Sequence, residues 1–166
     1  ALLCFRCILN RIKINNQNRI NMLFRKAVVE DHKIIISIAL KAYEKYVERM
    51  GKEPAPMRPI IQKQDVVFVC EDNKQVIAFA ILVKINDQII LDSIAVDPSH
   101  QKKGIGVNFI KFIEQYLIEQ KINKYQLYTN EKMFENIDWY QKIGFKIFKK
   151  VTEKGYNRIY FEKELS

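Results

Sequence analysis

With 166 residues the chain has the length of a single domain, and it contains no apolar run of about 18 residues that could cross a membrane as a helix. The net charge of +9 is unevenly spread, because residues 1–21 hold four basic and no acidic side chains; the remaining +5 is too moderate to indicate a nucleic-acid-binding domain. Three cysteines, Cys4, Cys7 and Cys70, are too few for a disulfide framework and favour a reducing, cytoplasmic compartment.

The first third of the chain predicts an extension, a strand and a long helix. Residues 1–21 are basic and rich in asparagine, and we expect them to be an extension without a catalytic role, followed by one domain over residues 22–166. Residues 23–28 are typical of a strand. Apolar residues recur at helical spacing over residues 31–50, and Gly51 ends this helix. Three prolines then predict a loop, and a short helix is expected over residues 60–63.

The rest of the chain predicts a sheet with further helices. Apolar runs separated by tight turns predict an antiparallel meander of three strands, at residues 66–71, 76–85 and 89–96. Alternating helices and strands follow: a helix from Gly104 to Gln120, a strand at 125–128, a helix at 134–143, and a hairpin at 145–150 and 158–163. The chain is therefore of the mixed α/β class.

The loop between the third strand of the meander and the long helix carries the strongest functional signal. Asp97-Pro98 ends the strand, because proline cannot donate to a ladder. Gln101-Lys102-Lys103-Gly104-Ile105-Gly106 then leads into a helix, whose first N–H groups and dipole attract anions. Neither a Walker loop nor a dinucleotide fingerprint is present. The pattern predicts a phosphate-binding loop of another kind.

The spacing Q-x-x-G-x-G after Val96-Asp97-Pro98 resembles the pyrophosphate loop of the GCN5-related N-acetyltransferase (GNAT) superfamily, and the likeness extends over residues 22–165. The resemblance implies a twisted, mostly antiparallel sheet of six or seven strands, splayed between the fourth and fifth strands and flanked by four helices. It also implies transfer of an acetyl group from acetyl-CoA to a primary amine of a small molecule or peptide, by direct attack of the amine on the thioester.

The same resemblance assigns cofactor contacts. The backbone of Ile94, Ala95 and Val96 would face the pantetheine arm and the thioester oxygen. The loop residues Gln101, Lys102, Lys103, Gly104, Ile105 and Gly106 would hold the pyrophosphate. Many family members carry an asparagine where this chain has Met133, and Asn130 or Asn136 is expected to take over that contact.

The resemblance also names an acid. Tyr140, with Gly144 and Phe145, matches the Y-x-x-x-G-F end of the family's second motif, whose tyrosine lies beside the cofactor sulfur. A phenol can give its proton to a departing thiolate at neutral pH. The alternative is that Tyr140 belongs to the core, since it forms a helical stripe with Met133 and Ile137.

A base and an acceptor site are less sharply defined. Asp92 is the candidate base or substrate anchor, because a carboxylate inside an apolar strand is unexpected and such groups often serve catalysis. A solvated or loop-bonded carboxylate, a water relay, and Glu53, Glu131 or Glu135 are alternatives. By resemblance, Tyr43, Tyr46, Met50 and the loop at 51–57 line the acceptor side, and this stretch is similar to a subgroup of small bacterial family members.

Other classes of function stay open. A non-catalytic acyl-CoA-binding regulatory module would keep the same loop, and a basic nucleic-acid-binding domain has only charge in its favour. A covalent route through Cys70 lacks an activating histidine at a recognisable spacing. The Cys4-x-x-Cys7 pair has no partner ligands at zinc spacing, so no metal is expected. We expect a monomer or homodimer that does not associate with membranes.

Overall fold

The computed structural model describes residues 10–13 and 21–166, and its centre is one mixed sheet. The strands of this described part are β1 (Asn10–Lys13), β2 (Asn21–Lys26), β3 (Val66–Asp72), β4 (Gln75–Ile85), β5 (Gln88–Val96), β6 (Lys124–Asn130), β7 (Lys146–Glu153) and β8 (Tyr156–Glu164). They lie side by side in the order β1-β2-β3-β4-β5-β6-β8-β7. The predicted mixed α/β class is confirmed; β2 to β8 are the seven expected strands, and β1 pairs with β2 as an eighth.

Four helices cover the two faces of the sheet. They are α1 (His32–Tyr43), α2 (Lys45–Met50), α3 (Ile105–Glu119) and α4 (Phe134–Lys142). Single 3-10 turns at Val29–Asp31, Ala55–Met57 and Pro98–His100 connect them to the sheet. Among the described helices, none combines the length and the apolar character needed to cross a bilayer.

Alternating side chains of the meander supply two separate cores. On β4, Phe79 and Ile81 face α1 and α2, whereas Ala78 and Ala80 face α3 and α4. The apolar stripe of α3, which includes Phe109 and Ile113, is fully buried against the second face. Because both faces are covered, β4 has six consecutive buried residues, as expected for a central strand.

The sheet opens between β5 and β6. These strands are parallel, and they pair only at Ile90 with Gln126 and at Leu91 with Leu127. Beyond Leu91 the strands separate, which leaves the last part of β5 without a strand on that side. This is the splay that the family resemblance implied, and it creates the space in which the candidate site lies.

Two local predictions differ from the structure. The helix predicted over residues 31–50 is interrupted at Glu44, where Val47 N–H bonds to Glu44 O at 3.1 Å in a three-residue turn. The helix predicted over residues 60–63 is wrong, because those residues have no helical structure. The side chain of Asp65 accepts from Gln62 N–H at 2.7 Å and fixes a turn there instead.

Candidate active site

Two neighbouring cavities lie where β5 and β6 separate. The larger, which we call the α3 cleft, has a volume of about 530 Å³ and runs from the start of α3 between the end of β5 and α4. The smaller, the inner pocket, has a volume of about 30 Å³ and lies on the other side of the same wall. Four residues line both cavities: Tyr43, Ile94, Asn136 and Tyr140. Groups bound in the two cavities would meet at this wall.

The start of α3 forms the floor of the α3 cleft. Gly104 adopts a left-handed conformation with φ of +74°, which glycine tolerates best. Asn108 donates its backbone N–H to Gly104 O at 3.1 Å and its side-chain amide to the same oxygen at 2.9 Å. The N–H groups of Ile105 and Gly106 precede the first bond of the helix and point out of its end. This is the helix end at which the loop sequence predicts phosphate binding.

Glycine is required at positions 104 and 106 for different structural reasons. A Cβ on Gly104 would have only Asn108 Nδ2 within 4 Å, at 3.8 Å, so its backbone conformation is what requires glycine. A Cβ on Gly106 would lie 3.3 Å from Trp139 Cζ2, so glycine there allows α3 and α4 to pack closely. Trp139 lines the α3 cleft and was not predicted as a site residue.

The loop before α3 is held by side chains. Gln101, a predicted cofactor residue, donates Nε2 to Val96 O at 3.0 Å and so ties the loop to the end of β5. Lys102 and Ile105 line the α3 cleft together with the end of β5, including Ile94, Ala95 and Val96. Lys103 is exposed and lines neither cavity.

Tyr140 stands in the wall between the cavities and is only 7% exposed. Its ring packs near Phe145 and Phe161, with ring centres 5.7 and 5.6 Å away, so it also belongs to the core. Burial raises the pKa of Tyr140 above its usual value, which keeps the phenol protonated. Tyr140 therefore belongs to the core and also lines both cavities.

Asp92 lies at a β-bulge. Ile81 of β4 pairs with Ser93 and Leu82 pairs with Leu91, so Asp92 is the extra residue between them. The bulge explains why Leu91 and Ile94 pack in the same core, which strict alternation along a strand forbids. The carboxylate of Asp92 lines the inner pocket and accepts a hydrogen bond from Tyr128 Oη at 2.8 Å.

Tyrosines surround the inner pocket. Burial raises the pKa of Tyr43 to about 12, and its hydroxyl donates to Ile94 O at 3.1 Å. Burial and the neighbouring Asp92 charge raise the pKa of Tyr128, so its hydroxyl remains a donor. The pocket is further lined by Tyr156, Thr129, Ser93 and Arg158, none of which the sequence predicted. Ser93 Oγ is buried without a hydrogen-bond partner among the described residues.

The remaining predicted residues divide between the cavities. Met50 lines the inner pocket, whereas Tyr46 lines the α3 cleft, with its hydroxyl 3.4 Å from Asn136 Oδ1. Asn136 touches both cavities, but Asn130 lines only the inner pocket and accepts from Lys132 N–H at 3.0 Å. Of the two asparagines expected to compensate for Met133, Asn136 is therefore the one that faces the α3 cleft.

The alternative acids form hydrogen bonds with other side chains, and Cys70 is buried in the core. Arg58 pairs with Glu53 in two hydrogen bonds of 2.7 Å, and Asn157 donates to Glu131 at 2.7 Å. Hydrogen bonding from Arg49 lowers the pKa of Glu135 to about 2. Cys70 is fully buried, which raises the pKa of its thiol to about 12 and suits a structural role. Cys4 and Cys7 lie outside the described residues, within which no His, Cys, Asp and Glu side chains cluster as metal ligands.

Solved structures with the same fold come from several acetyltransferases. PaiA N-acetyltransferase from Thermoplasma acidophilum, in complex with coenzyme A, matches with a TM-score of 0.68 at 16% identity over 86% of this chain and 98% of that chain. The ribosomal-protein-S18-alanine N-acetyltransferase of Escherichia coli matches with a TM-score of 0.68 at 18% identity over 87% and 94%. A GNAT family acetyltransferase from Elizabethkingia anophelis with acetyl-CoA bound matches with a TM-score of 0.65 at 17% identity over 87% and 99%.

Sequence comparison identifies the family directly. No curated protein matches the chain significantly. The sequence model of the family described as an acetyltransferase (GNAT) domain, however, matches residues 63–147, which is just over half of the chain. The matched region contains β3 to β6, α3 and α4, and so both Asp92 and Tyr140. The chain belongs to the GNAT family of acetyltransferases.

Proposed function

We propose that the protein transfers the acetyl group of acetyl-CoA to a primary amine of a small molecule or peptide, by direct attack of the amine on the thioester. The observation that carries this proposal is the wall of Tyr43, Ile94, Asn136 and Tyr140 between the α3 cleft and the inner pocket. A thioester on one side and an amine on the other would meet beside Tyr140, with Asp92 in the amine's pocket.

The residues of the α3 cleft fit acetyl-CoA. The N–H groups of Ile105 and Gly106 offer donors to a pyrophosphate, and Lys102 adds a positive charge. The lining of the cleft extends from the helix start to Ile94 and Tyr140. Coenzyme A in the Thermoplasma structure and acetyl-CoA in the Elizabethkingia structure support this assignment. When bound, acetyl-CoA supplies the acetyl group as an activated thioester.

Two side chains would move the protons. An amine arrives mostly as ammonium, and the carboxylate of Asp92 would accept its proton in the inner pocket. The hydroxyl of Tyr140 would hold the proton that the departing thiolate needs. Burial keeps Tyr140 neutral, so its O–H is present as a hydrogen-bond donor to the thiolate, while the same rise in its pKa makes it a weaker acid than a free phenol. The packing around the buried Tyr140 excludes water from its hydroxyl and strengthens its hydrogen bonds.

The acceptor has a path to the inner pocket from the opposite side. A groove of about 390 Å³, which we call the outer groove, shares Ala55, Pro56, Asp92 and Tyr128 with the inner pocket. The inner pocket itself has room for about two water molecules at most. The amine end of an acceptor and a small group beside it would therefore enter it only after the loop at 51–57 adjusts, and the rest of the molecule would occupy the outer groove.

The proposal is tested first by calorimetric titration with acetyl-CoA, with pantetheine as the control that lacks phosphates. Turnover is then measured by thiol release over a panel of primary amines. We expect Asp92→Asn to lower kcat/KM by about 100-fold or more while the affinity for acetyl-CoA is kept. The matched control is Asp87→Asn, because that carboxylate is 91% exposed in the turn between β4 and β5.

Two results would contradict the proposal. Absence of acetyl-CoA binding to the folded protein would remove the assignment of the α3 cleft. Binding without turnover of any amine would favour the non-catalytic acyl-CoA-binding module.

A further inference from the structure

Arg158 is a charged side chain of the inner pocket that the proposed mechanism does not use. It lies on β8 opposite Asn130 of β6, and its side chain is 11% exposed. Its guanidinium carbon lies 4.5 Å from the ring centre of Tyr128, in the range of a cation–π contact. A nearly buried arginine beside the acceptor pocket requires partners for its N–H groups.

The hydrogen bonds of Arg158 are incomplete within the described residues. Nη1 donates to Glu153 Oε2 at 2.9 Å, and Glu153 Oε1 is already taken by Tyr160 Oη at 2.9 Å. By comparison, Arg49 makes a two-pronged pair with Glu135, through bonds of 2.7 and 2.8 Å. A guanidinium has five N–H donors, so Arg158 retains donors for a ligand in the pocket that it lines.

Arg158 and Asp92 stand on two sides of one aromatic ring. The hydroxyl of Tyr128 donates to Asp92, while the face of its ring contacts the Arg158 guanidinium. The inner pocket therefore presents a negative and a positive charge about one tyrosine ring apart. A carboxylate matches the planar fork of a guanidinium, and an ammonium matches a carboxylate.

The entrance to the inner pocket carries charges of both signs. The outer groove is lined by the basic residues Arg58, Lys84 and Lys154, against the acids Asp65 and Asp92. Arg58 and Lys84 are paired with acids outside the groove lining, and all three basic side chains are at its surface. The entrance therefore adds no preference for one sign of charge, which leaves recognition of a carboxylate to Arg158.

We infer that the acceptor is an amino carboxylate, that is, a small amine that also carries a carboxylate, with its amine at Asp92 and its carboxylate at Arg158. This inference rests on the proposed function, because it names the substrate class of the same pocket. Arg158 is then a specificity-determining residue. Its donors hold the carboxylate, and its contact with Tyr128 keeps the guanidinium in the pocket wall.

The experiment compares amines that differ only in the carboxylate. Suitable pairs are glycine with methylamine, β-alanine with ethylamine, γ-aminobutyrate with propylamine, and leucine with isoamylamine. Thiol release gives kcat/KM for each member with the natural protein, Arg158→Gln and Arg158→Lys. In at least one pair we expect the natural protein to prefer the carboxylate member by about 10-fold to 100-fold. Arg158→Gln should bring this ratio towards one, and Arg158→Lys should restore part of it.

A binding measurement gives a readout that does not depend on turnover. The coenzyme A-loaded protein is titrated with the N-acetylated members of each pair, and the carboxylate member should bind more tightly by a similar factor. Equal binding or a preference for the uncharged member, in both assays, overturns the inference while leaving the acetyltransferase proposal intact. Failure to bind coenzyme A at all overturns the proposed function itself. Melting of each variant shows that a changed ratio is not a loss of folding.

Discussion

Replacement of Gly104 by alanine separates the backbone role of this residue from its role in ligand binding. Gly51, at the end of α2, has φ of +70° and ψ of 10°, and Gly104 has φ of +74° and ψ of 8°. A Cβ at Gly51 would meet nothing within 4 Å, and one at Gly104 would meet only Asn108 Nδ2 at an ordinary distance. Gly51→Ala is therefore a matched control, with the same strain at a position that lines neither cavity.

The expected magnitudes follow from the conformation. An L-residue in the left-handed region costs about 1–2 kcal/mol. Reduced entropy of the unfolded chain offsets up to about 1 kcal/mol of this in a change from glycine to alanine. Both variants should therefore lose roughly 1 kcal/mol of unfolding free energy. If the strained loop turns one amide away from the pyrophosphate, Gly104→Ala loses a further charge-assisted bond, which weakens coenzyme A binding about 10-fold to 100-fold.

Urea unfolding measures the first effect, and calorimetric titration with coenzyme A measures the second. The reasoning requires that both variants lose similar stability and that only Gly104→Ala loses affinity. If Gly104→Ala were destabilised like Gly51→Ala and still bound coenzyme A normally, the phosphate site would lie elsewhere. Equal weakening of binding in both variants would mean that general loosening of the fold, and not the α3 loop, controls affinity.

Two further predictions concern an acid and an ion pair. Tyr140→Phe should lower kcat by about 100-fold with little change in coenzyme A affinity. A loss of affinity as large as the loss of turnover would contradict this prediction. The control is Tyr116→Phe, on α3. Asp31 accepts hydrogen bonds from Arg25 at 2.7 and 3.0 Å, and these bonds lower the pKa of Asp31 below 3.8. Asp31→Asn should therefore lower the free energy of unfolding by about 2 kcal/mol at neutral pH. That difference in urea unfolding should fade as the pH falls below about 3.8, and a pH-independent difference would refute the charge-based account.

Local patterns predicted the elements that depend on local sequence. The apolar stripe of α3 and the turns of the meander are each determined by residues that lie close together in the sequence, and both were predicted close to their observed bounds. The helix expected over residues 60–63 does not form, because the side chain of Asp65, three residues along the chain, accepts a hydrogen bond from the backbone of Gln62. The glycines, lysines and helix start of the loop before α3 predicted a phosphate-binding loop, whereas the kind of loop and the role of Tyr140 came from the family resemblance, since one tyrosine carries little information alone.

The inner pocket depends on strand pairing, which no local pattern reveals. Asp92 interrupts the alternation of side chains along β5 because it has no pairing partner on β4. Its position therefore depends on the neighbouring strand and not on the local sequence. Tyr128 and Arg158 meet because β6 and β8 are in a register that sets Tyr128 opposite Tyr160 and Asn130 opposite Arg158. The available signal was weak: alternation along the strand at 125–128 put Tyr128 on the face opposite the buried Tyr125.

The open edge of β5 gives the wall between the cavities its chemical character. Asp97 N–H donates to Ile77 O at 2.8 Å, so by alternation the N–H and C=O groups of Ile94 and Val96 point away from β4, into the splay. Tyr43 occupies Ile94 O, and Gln101 occupies Val96 O. An edge whose carbonyls are taken presents its N–H groups, and such donors stabilise an oxyanion. Burial raises the pKa of Tyr43 to about 12, so its hydroxyl remains a donor at neutral pH and keeps Ile94 O occupied.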